Sequence, residues 1–521
     1  MARACAGGGL CVDLDMDWIG VWQVDAGRAA MRMALRVFIF LLMVGGLSAP
    51  GWAHVGNKDV FEQVDAGPYK LFVTVRMPKV IPGVATIEVR TTGPKVGAVR
   101  ITPVPLTGEA SRHPPTADAM KVSADDPAFF TGSLWLMASG SWQVRFEVEG
   151  VAGAAATGVP VPAIPLSILP MQRSLGIVLG VLGLILALGM AGIVGAAVRE
   201  SRLAPGAAPT PDRSRRALIA SMVALVLAGL MIYAGDKWWR VEAANYAADI
   251  YRPMELRPVL HGSTLDLSFG DYSEKRQRWK AESMDGLLPD HGHLMHLYAI
   301  RWPEMDAVFH LHPQPVGDDR LSMTLPSMPA GEYRIYGDIV HRSGFPETLT
   351  AKLVVPDGAP TAVLGADDAS ARPPGISQGE LGPVYKLPDG YTMAWDKPAE
   401  LTANSAYAFR FRLVGPDGKP AMDMEPYLGM AGHAAFVKTD GTAFAHTHPE
   451  GSAAMPAMML ANGGQQEMAG MPGMEMPMDS GPIVPVVEFP YGFPSPGRYR
   501  VFIQMKHGGA VETGVFDAEV R

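Results

Sequence analysis

Apolar and polar residues alternate in the first part of the chain. The segments YKLFVTVR (69–76), VATIEVR (84–90) and WQVRFEV (142–148) place every second side chain on an apolar face, which is the period of half-buried β-strands. Clusters of Gly, Pro and Ser separate these segments at the spacing of a β-sandwich. The pattern predicts one β-sandwich over 54–165, followed by a Pro-rich linker.

Two continuous apolar segments follow this domain. The first, 174–198, contains no charged residue and is long enough to cross a bilayer. The second, 217–235, is followed by Trp238 and Trp239, a residue type enriched at membrane interfaces. The loop between them, 199–216, carries five Arg against one Glu and one Asp, so the positive-inside rule places it in the cytoplasm. We expect a bacterial inner-membrane protein with both large segments in the periplasm.

The N-terminal residues have the pattern of a secreted protein. Residues 31–53 combine a basic start, an apolar stretch and a small-residue cleavage site after Ala53, as in a signal peptide. Residues 1–30 carry four Asp and are interpreted as an upstream extension of the gene; the alternative is a cytoplasmic tail with the apolar stretch kept as an anchor. Both cysteines, Cys5 and Cys11, lie in this extension. The mature chain is therefore expected to have neither disulfides nor thiolate ligands.

A pattern of histidines occurs twice in the C-terminal part, where we predict two further periplasmic β-domains at 236–357 and 380–521. In each, a Gly-His pair is followed by an H-x-H-P motif, a strand beginning Gly-x-Tyr and a last histidine. The histidines of the two copies are His293, His310, His312 and His341, then His433, His446, His448 and His507. The second copy also contains a Met-rich insertion at 451–484.

The spacing of these histidines favours metal binding. In a β-strand, H-x-H places both imidazoles on one face, and a histidine on a neighbouring strand roughly 5 Å away can complete a site of three or four nitrogens. Such sites bind Cu(II), Zn(II) or Ni(II). The alternative is that the histidines hydrogen-bond loops. Three other histidines of this region, His261, His291 and His296, have no counterpart in the second copy and are expected to be peripheral, with a position of His291 near the first site as the alternative.

The insertion is dense in thioethers. Its methionines are Met455, Met458, Met459, Met468, Met471, Met474, Met476 and Met478. Gly, Pro and Gln lie between them, so we expect no packed helix or strand here. Flexible thioethers are ligands for soft ions such as Cu(I) or Ag(I), and an unstructured loop without metal is the alternative.

A resemblance to known envelope domains adds to this picture. Cleavage after Ala53 would make His54 the first residue, whose amine and imidazole can chelate one copper ion. AHVG followed by AGPYKLFVTVRMPKVIPG resembles the opening of YtkA-like domains, and the leader ending before a histidine resembles CopC-type copper-binding domains. The resemblance implies a Cu(II) site at His54, although the other ligands of that family do not align. The expected fold is mostly β: immunoglobulin- or cupredoxin-like β-sandwich domains joined by a two-helix transmembrane hairpin.

Net charge and sequence motifs exclude some classes of function and favour others. A net charge of −8 argues against nucleic-acid binding. We predict a non-enzymatic protein that binds copper for homeostasis, resistance or delivery, with Cu(II) at the histidines, Cu(I) at the methionines and zinc as a further candidate. Its expected partners are the metal ion, the lipid bilayer and another metal-handling protein of the envelope. The alternatives are a cupin-like metalloenzyme, for which the acidic ligand expected shortly after H-x-H is missing, and a structural or interaction module without metal.

Overall fold

The strands of the described part of the chain form six antiparallel sheets. The computed structural model describes residues 59–204, 206–273, 278–358, 362–463 and 483–521. The predictions for the leader, the upstream extension, His54 and the five methionines from Met468 to Met478 lie outside the described residues.

Nine strands form the N-terminal β-domain. They are β1 (Val60–Ala66), β2 (Tyr69–Arg76), β3 (Gly83–Thr92), β4 (Val96–Pro105), β5 (Asp118–Ala119), β6 (Lys121–Val122), β7 (Phe129–Leu136), β8 (Gly140–Gly150) and β9 (Gly153–Ala163). One sheet has the order β1-β2-β3-β7-β6 and the other β5-β4-β8-β9. Leu71 and Val89 of the first sheet and Phe146 of the second belong to one buried core, so the domain is sandwich-like. The strands predicted from alternation are confirmed as β2, β3 and β8.

Two long helices follow, Arg173–Glu200 and Pro211–Ala248, and both are long and apolar enough to cross a membrane. The second is longer than the predicted apolar segment at both ends. The helices contact each other through small residues, and the hydroxyl of Ser221 donates a hydrogen bond to the main-chain oxygen of Ala191 (2.8 Å). Much of their remaining surface is exposed and apolar; the Ile193 side chain, for example, is 72% exposed.

The central β-domain begins shortly after the second long helix. Its strands are β10 (Glu255–His261), β11 (Thr264–Ser273), β12 (Arg278–Ala281), β13 (Leu287–Leu288), β14 (His296–Arg301), β15 (Val308–Leu311), β16 (Gln314–Pro315), β17 (Leu321–Thr324), β18 (Gly331–His341), β19 (Pro346–Val355) and β20 (Ala369–Ala371). One sheet has the order β10-β11-β17-β16 with β12 beside β11, and the other β13-β18-β14-β15-β20 with β19 beside β18. Leu267 of the first sheet and Leu297 and Ile335 of the second share a core.

The C-terminal β-domain repeats this plan. Its strands are β21 (Val384–Lys386), β22 (Thr392–Trp395), β23 (Tyr407–Val414), β24 (Met424–Glu425), β25 (His433–Lys438), β26 (Phe444–Thr447), β27 (Val486–Tyr491), β28 (Gly497–His507) and β29 (Ala510–Val520). One sheet has the order β21-β22-β23-β27. The other sheet has the order β24-β28-β25-β26, with β29 beside β28. The second sheet of the central domain has the same arrangement, β13-β18-β14-β15 with β19 beside β18. The histidine repeat therefore corresponds to a repeated sheet.

The two histidine-bearing sheets pack against each other through the faces that point away from their own cores. Tyr298 and Tyr336 of the central domain form one apolar cluster with Phe444 and Phe502 of the C-terminal domain. The rings of Tyr336 and Phe444 stack with centroids 4.2 Å apart. This contact brings the two H-x-H motifs to the same interface.

The start of the Met-rich insertion is a short helix, Met455–Ala461, so the prediction of no packed helix is wrong for these residues. Pro456 occupies its first turn, where proline fits a helix, and Ala457 and Leu460 are buried against Leu106 of the N-terminal domain. Small apolar residues between the methionines supply the packing face that methionine content alone did not predict. Just before the helix, the Ser452 hydroxyl accepts a hydrogen bond from the Phe61 amide of β1 (3.1 Å).

Candidate metal centre

The strand registers show which histidines of the two repeats correspond. His296 is the first residue of β14 and His433 is the first residue of β25. Across the sheet, His296 faces Asp338, the eighth residue of β18, and His433 faces Gln504, the eighth residue of β28. The equivalent of His433 is therefore His296, and not His293 as the Gly-His pair predicted.

His291 and His293 lie on a tight turn that precedes β14. The turn 290–293 is closed by two main-chain hydrogen bonds, and the second copy has the same turn at 427–430. His291 and Leu428 occupy the same position and have similar positive φ values, 50° and 52°. The first copy thus carries two histidines on a turn where the second has none. Both lie in the histidine cluster at the domain interface, which consists of His291, His293, His296, His310, His312, His433, His446 and His448.

Three buried histidines of the central domain form the first group, His296, His310 and His312. Nδ1 of His296 lies 3.1 Å from Nε2 of His310 and 3.2 Å from Nε2 of His312. His296 and His310 lie on adjacent strands, and His312 follows β15 directly. As predicted from H-x-H, the rings of His310 and His312 are neighbours, with centroids 4.6 Å apart.

The outer nitrogen of each ring in this group faces an oxygen that can only accept a hydrogen bond. The contacts are His296 Nε2 with the main-chain oxygen of Asp290 (3.1 Å), His310 Nδ1 with Gln504 Oε1 (2.8 Å) and His312 Nδ1 with Asp368 Oδ1 (3.1 Å). The Tyr427 hydroxyl also lies 3.1 Å from His310 Nδ1, but it donates its own hydrogen to the main-chain oxygen of Asp367 (2.9 Å) and so acts as an acceptor for His310. Each outer nitrogen must therefore carry a proton and donate it. Since a neutral imidazole has one N–H, the three inner nitrogens direct lone pairs towards one another.

This arrangement fits a transition-metal ion. Three lone pairs repel one another at such short range unless a cation lies among them. A tetrahedral ion with metal–nitrogen distances of about 2.0–2.1 Å holds its nitrogens about 3.3 Å apart, close to the separations of 3.1 and 3.2 Å observed here. Histidine ligands usually donate their second N–H to a carboxylate or carbonyl oxygen, as all three do here.

A second group combines both domains: His433 and His448 of the C-terminal domain with His291 of the central domain. One nitrogen from each lies within 4.8 Å of the other two. Neither ring nitrogen of His433 makes a hydrogen bond with a described residue, although the side chain is fully buried. A buried polar group without a partner costs about 1–3 kcal/mol, so a bound cation would stabilise this group.

Two reciprocal contacts join the domains at the cluster. His310 of the central domain donates to Gln504 of the C-terminal domain, and His446 Nδ1 of the C-terminal domain lies 3.3 Å from Asp338 Oδ2 of the central domain. Because Gln504 and Asp338 are equivalent positions, an approximate two-fold axis relates the two contacts. The cluster is thus built by both repeats together.

The remaining predicted histidines differ in their surroundings. His293 joins the edge of the first group, where its ring centroid is 4.2 Å from that of His312. His341 and His507 lie outside both groups of three. His341 Nε2 is 2.8 Å from Glu347 Oε2, so it does not complete the site as the sequence suggested.

His507 contacts acidic and aromatic side chains instead of other histidines. Its Nε2 lies 3.1 Å from Asp389 Oδ2, and its ring stacks on Tyr391 with centroids 4.0 Å apart. Both last histidines of the repeat therefore pair with carboxylates at a distance from the cluster.

Of the predicted methionine ligands, the structure describes Met455, Met458 and Met459. Met458 packs against the core of the N-terminal domain, which is a structural role. The Met455 amide donates to Asp290 Oδ1 (3.2 Å), so the insertion begins beside the turn that carries His291.

Burial changes the acid–base behaviour of the cluster. The pKa values of His296, His310, His433 and His448 lie well below the usual value, first because burial disfavours the charged ring and then because neighbouring rings repel a second positive charge. These imidazoles stay neutral, the form that binds metal, at lower pH than an exposed histidine. Unfolding raises their pKa values to about 6.5, so the metal-free protein loses stability as the pH falls below that value.

Several residues of the centre were missed or undervalued by the sequence analysis. His291 and His296 were expected to be peripheral, and Gln504, Asp338 and Asp368 were not considered. Spacing carried a signal for His296: it precedes His310 by 14 residues and His433 precedes His446 by 13, whereas His293 precedes His310 by 17. The partners from the opposite domain carry no comparable signal.

Comparisons with known proteins add little about function. Residues 385–521 match a family described as "Domain of unknown function (DUF8832)", which corresponds to the C-terminal β-domain. A comparison with curated proteins finds no match.

Solved structures that resemble the chain do so weakly. One is the tetra-tandem repeat in the extending region of a large adhesion protein, with 10% identity, 86% of this chain and 99% of that chain covered, and a TM-score of 0.17. Another is a putative membrane anchored protein from Corynebacterium diphtheriae, with 10% identity, coverages of 89% and 96%, and a TM-score of 0.15. At TM-scores this low, the likenesses carry no argument about this chain.

Proposed function

We propose that this chain is a membrane-anchored protein of the bacterial envelope that binds a transition metal, with copper favoured, between its two histidine-bearing domains. The observation that supports this most strongly is the first group, in which His296, His310 and His312 direct three lone pairs inward while each outer nitrogen donates to an acceptor. We expect these three residues to be the metal ligands. His291, His433 and His448 form a second candidate site.

Copper is favoured over zinc by the donor set. Nitrogen sites bind Cu(II) more tightly than Zn(II), and Cu(I) also accepts thioether ligands. In the first group, the Asp368 carboxylate accepts a hydrogen bond from the His312 ring and is not itself one of the proposed metal ligands. The Met-rich insertion begins close to the cluster, at Met455. Zinc remains the competing ion for three neutral imidazoles.

The membrane assignment rests on the two long helices. Their exposed apolar side chains need a non-aqueous surrounding, and the basic loop between them favours a cytoplasmic location for that loop. Both large segments are then periplasmic, and the helices form the transmembrane hairpin. Within this proposal the three sandwich-like domains are immunoglobulin- or cupredoxin-like, and the N-terminal one is of the YtkA or CopC type.

The proposed role is capture, buffering or delivery of the ion rather than catalysis. Ligands whose outer nitrogens are all held by acceptors form a preorganised site, which suits tight binding. A second metal-handling protein of the envelope is the expected partner for delivery.

Metal analysis of the full-length protein, purified in detergent without a histidine tag, tests the proposal. After loading with copper and removal of free ion, the unchanged protein should retain copper, and the double variant His310→Ala/His312→Ala should lose the copper of the first group. The control is His261→Ala, an exposed histidine of the same domain, which should retain all of it. No retained copper or zinc in the folded unchanged protein would overturn the proposal.

A further inference from the structure

A cavity of about 120 Å³ reaches the histidine cluster from the junction of all three β-domains. Met77 and Ile164 of the N-terminal domain and its linker form one wall, and Tyr251 lies beside them. The C-terminal domain contributes His446 and His448. The cavity therefore connects a surface formed by several domains with two histidines of the cluster.

The cavity wall includes an imidazole whose Nε2 is free to accept a cation. His446 lines the cavity, its side chain is 5% exposed, and its Nε2 makes no hydrogen bond with any residue in the described ranges. Its Nδ1 lies 3.3 Å from Asp338 Oδ2, which fixes the ring. Its ring centroid is 5.3 Å from that of His296 and 4.9 Å from that of His448, so His446 lies between the two groups of three.

The cavity wall also includes a buried carboxyl group. Glu347 lines the cavity and is 6% exposed. Its Oε1 accepts hydrogen bonds from the Tyr251 hydroxyl (2.7 Å) and the Met254 amide (3.0 Å), and its Oε2 lies 2.8 Å from His341 Nε2. These contacts hold a negative charge at the cavity wall.

Part of the cavity wall lies close in sequence to the helix pair. Tyr251 follows the second long helix, which ends at Ala248, and Ile164 precedes the first, which begins at Arg173. Tyr251 and His341 also line a neighbouring, more open cavity of about 590 Å³ together with Trp142. The Tyr251 hydroxyl donates to Glu347, so this carboxylate lies beside a residue that follows the helix pair.

We propose that this cavity is the route by which a metal cation enters the histidine cluster, with Glu347 attracting the ion and His446 receiving it. The inference rests on the proposed metal-binding function. Asp290 and Asp338 also line the cavity, so three carboxyl side chains contribute to its wall. Carboxylates in a cleft with walls of low dielectric constant raise the local cation concentration and the rate of association.

The route is tested by the rate of copper loading into the full-length protein in detergent. Cu(I) is supplied as a coloured chelator complex, and the loss of its absorbance is followed by stopped-flow mixing. Glu347→Gln keeps an oxygen to accept the bonds from Tyr251 and Met254 but removes the charge. It should slow loading about tenfold, while the amount of copper bound and its affinity stay unchanged.

A second variant and a control make the result decisive. Ala454→Leu, which adds bulk to the cavity wall, should slow loading without changing the amount of copper bound. Glu332→Gln, on β18 outside the cavity and paired with Lys352, should load at the normal rate. Normal loading rates in both cavity variants would overturn the route, and so would a loss of affinity in Glu347→Gln as large as the loss of rate. Absence of copper binding in the unchanged protein would instead overturn the proposed function.

Discussion

Replacing Gln504 with leucine removes the acceptor that orients His310 from the opposite domain. Gln504 Oε1 accepts hydrogen bonds from His310 Nδ1 (2.8 Å) and from the Tyr298 hydroxyl (3.2 Å). Leucine has a similar size but no polar atom, so the His310 N–H loses its shorter hydrogen bond and keeps only the Tyr427 hydroxyl (3.1 Å). The ring is then held less firmly in the tautomer that directs Nε2 towards His296. We therefore expect Gln504→Leu to weaken metal binding without removing a ligand.

The expected size of the effect follows from the role of such partners. Loss of a hydrogen-bond partner of a metal-bound histidine costs about 10–100-fold in affinity, which corresponds to about 1.4–2.7 kcal/mol. The free energy of unfolding of the metal-free protein should fall by about 1–3 kcal/mol, since the buried hydrogen bonds from His310 and from the Tyr298 hydroxyl to Gln504 are both lost. Gln504→Glu restores an acceptor and should bring the affinity back close to that of the unchanged protein.

The assay is competition for copper against a chromogenic chelator of known affinity, combined with thermal unfolding to verify that each variant is folded. Gln143→Leu is the matched control, because Gln143 is also a buried glutamine but lies in the N-terminal domain, on β8. Equal affinities of Gln504→Leu and the unchanged protein would refute the reasoning. A similar loss of affinity in Gln143→Leu would show that the effect is not specific to His310.

Three further predictions concern stability and ligand type. Burial lowers the pKa values of His296 and His433, so the free energy of unfolding of the metal-free protein should fall as the pH drops below about 6.5. The expected slope in urea unfolding is up to about 1.4 kcal/mol per pH unit for each such histidine, and a free energy that does not change with pH would contradict this. Phe444→Ala at the domain interface should cost about 3–5 kcal/mol of unfolding free energy, whereas Val363→Ala, at an exposed position, should cost little. Deletion of 464–482 should lower the amount of Cu(I) that the protein binds, since thioethers are ligands for soft ions, and should spare Cu(II) binding at the histidines; an unchanged amount of bound Cu(I) would show that the methionines are not its ligands.

Local patterns predicted the strands and part of the site. The alternation in 69–76 and 142–148 identified β2 and β8 because one face of each strand is buried in its own domain. H-x-H identified neighbouring rings at His310 and His312 because side chains two apart in an extended chain share a face. Such features depend only on residues close together in the chain.

The rest depends on how two domains pack. Gln504 is one of several polar residues on β28, and nothing in its neighbourhood indicates a contact with His310, 194 residues away. The Gly-His pair suggested His293 as the counterpart of His433, but the strand register shows that His296 holds that position. Methionine content was also misleading at Met458, because the alanines around it allow a helix to pack against the N-terminal domain.

The central claim is that His296, His310 and His312 together hold one transition-metal ion. Anomalous diffraction from crystals of the copper-loaded protein, recorded above and below the copper absorption edge, tests it most directly. The account predicts an anomalous peak among the inner nitrogens Nδ1 of His296, Nε2 of His310 and Nε2 of His312, about 2 Å from each. Copper found only elsewhere, such as at His341 or His507, with the three inner nitrogens bound to no ion, would contradict it.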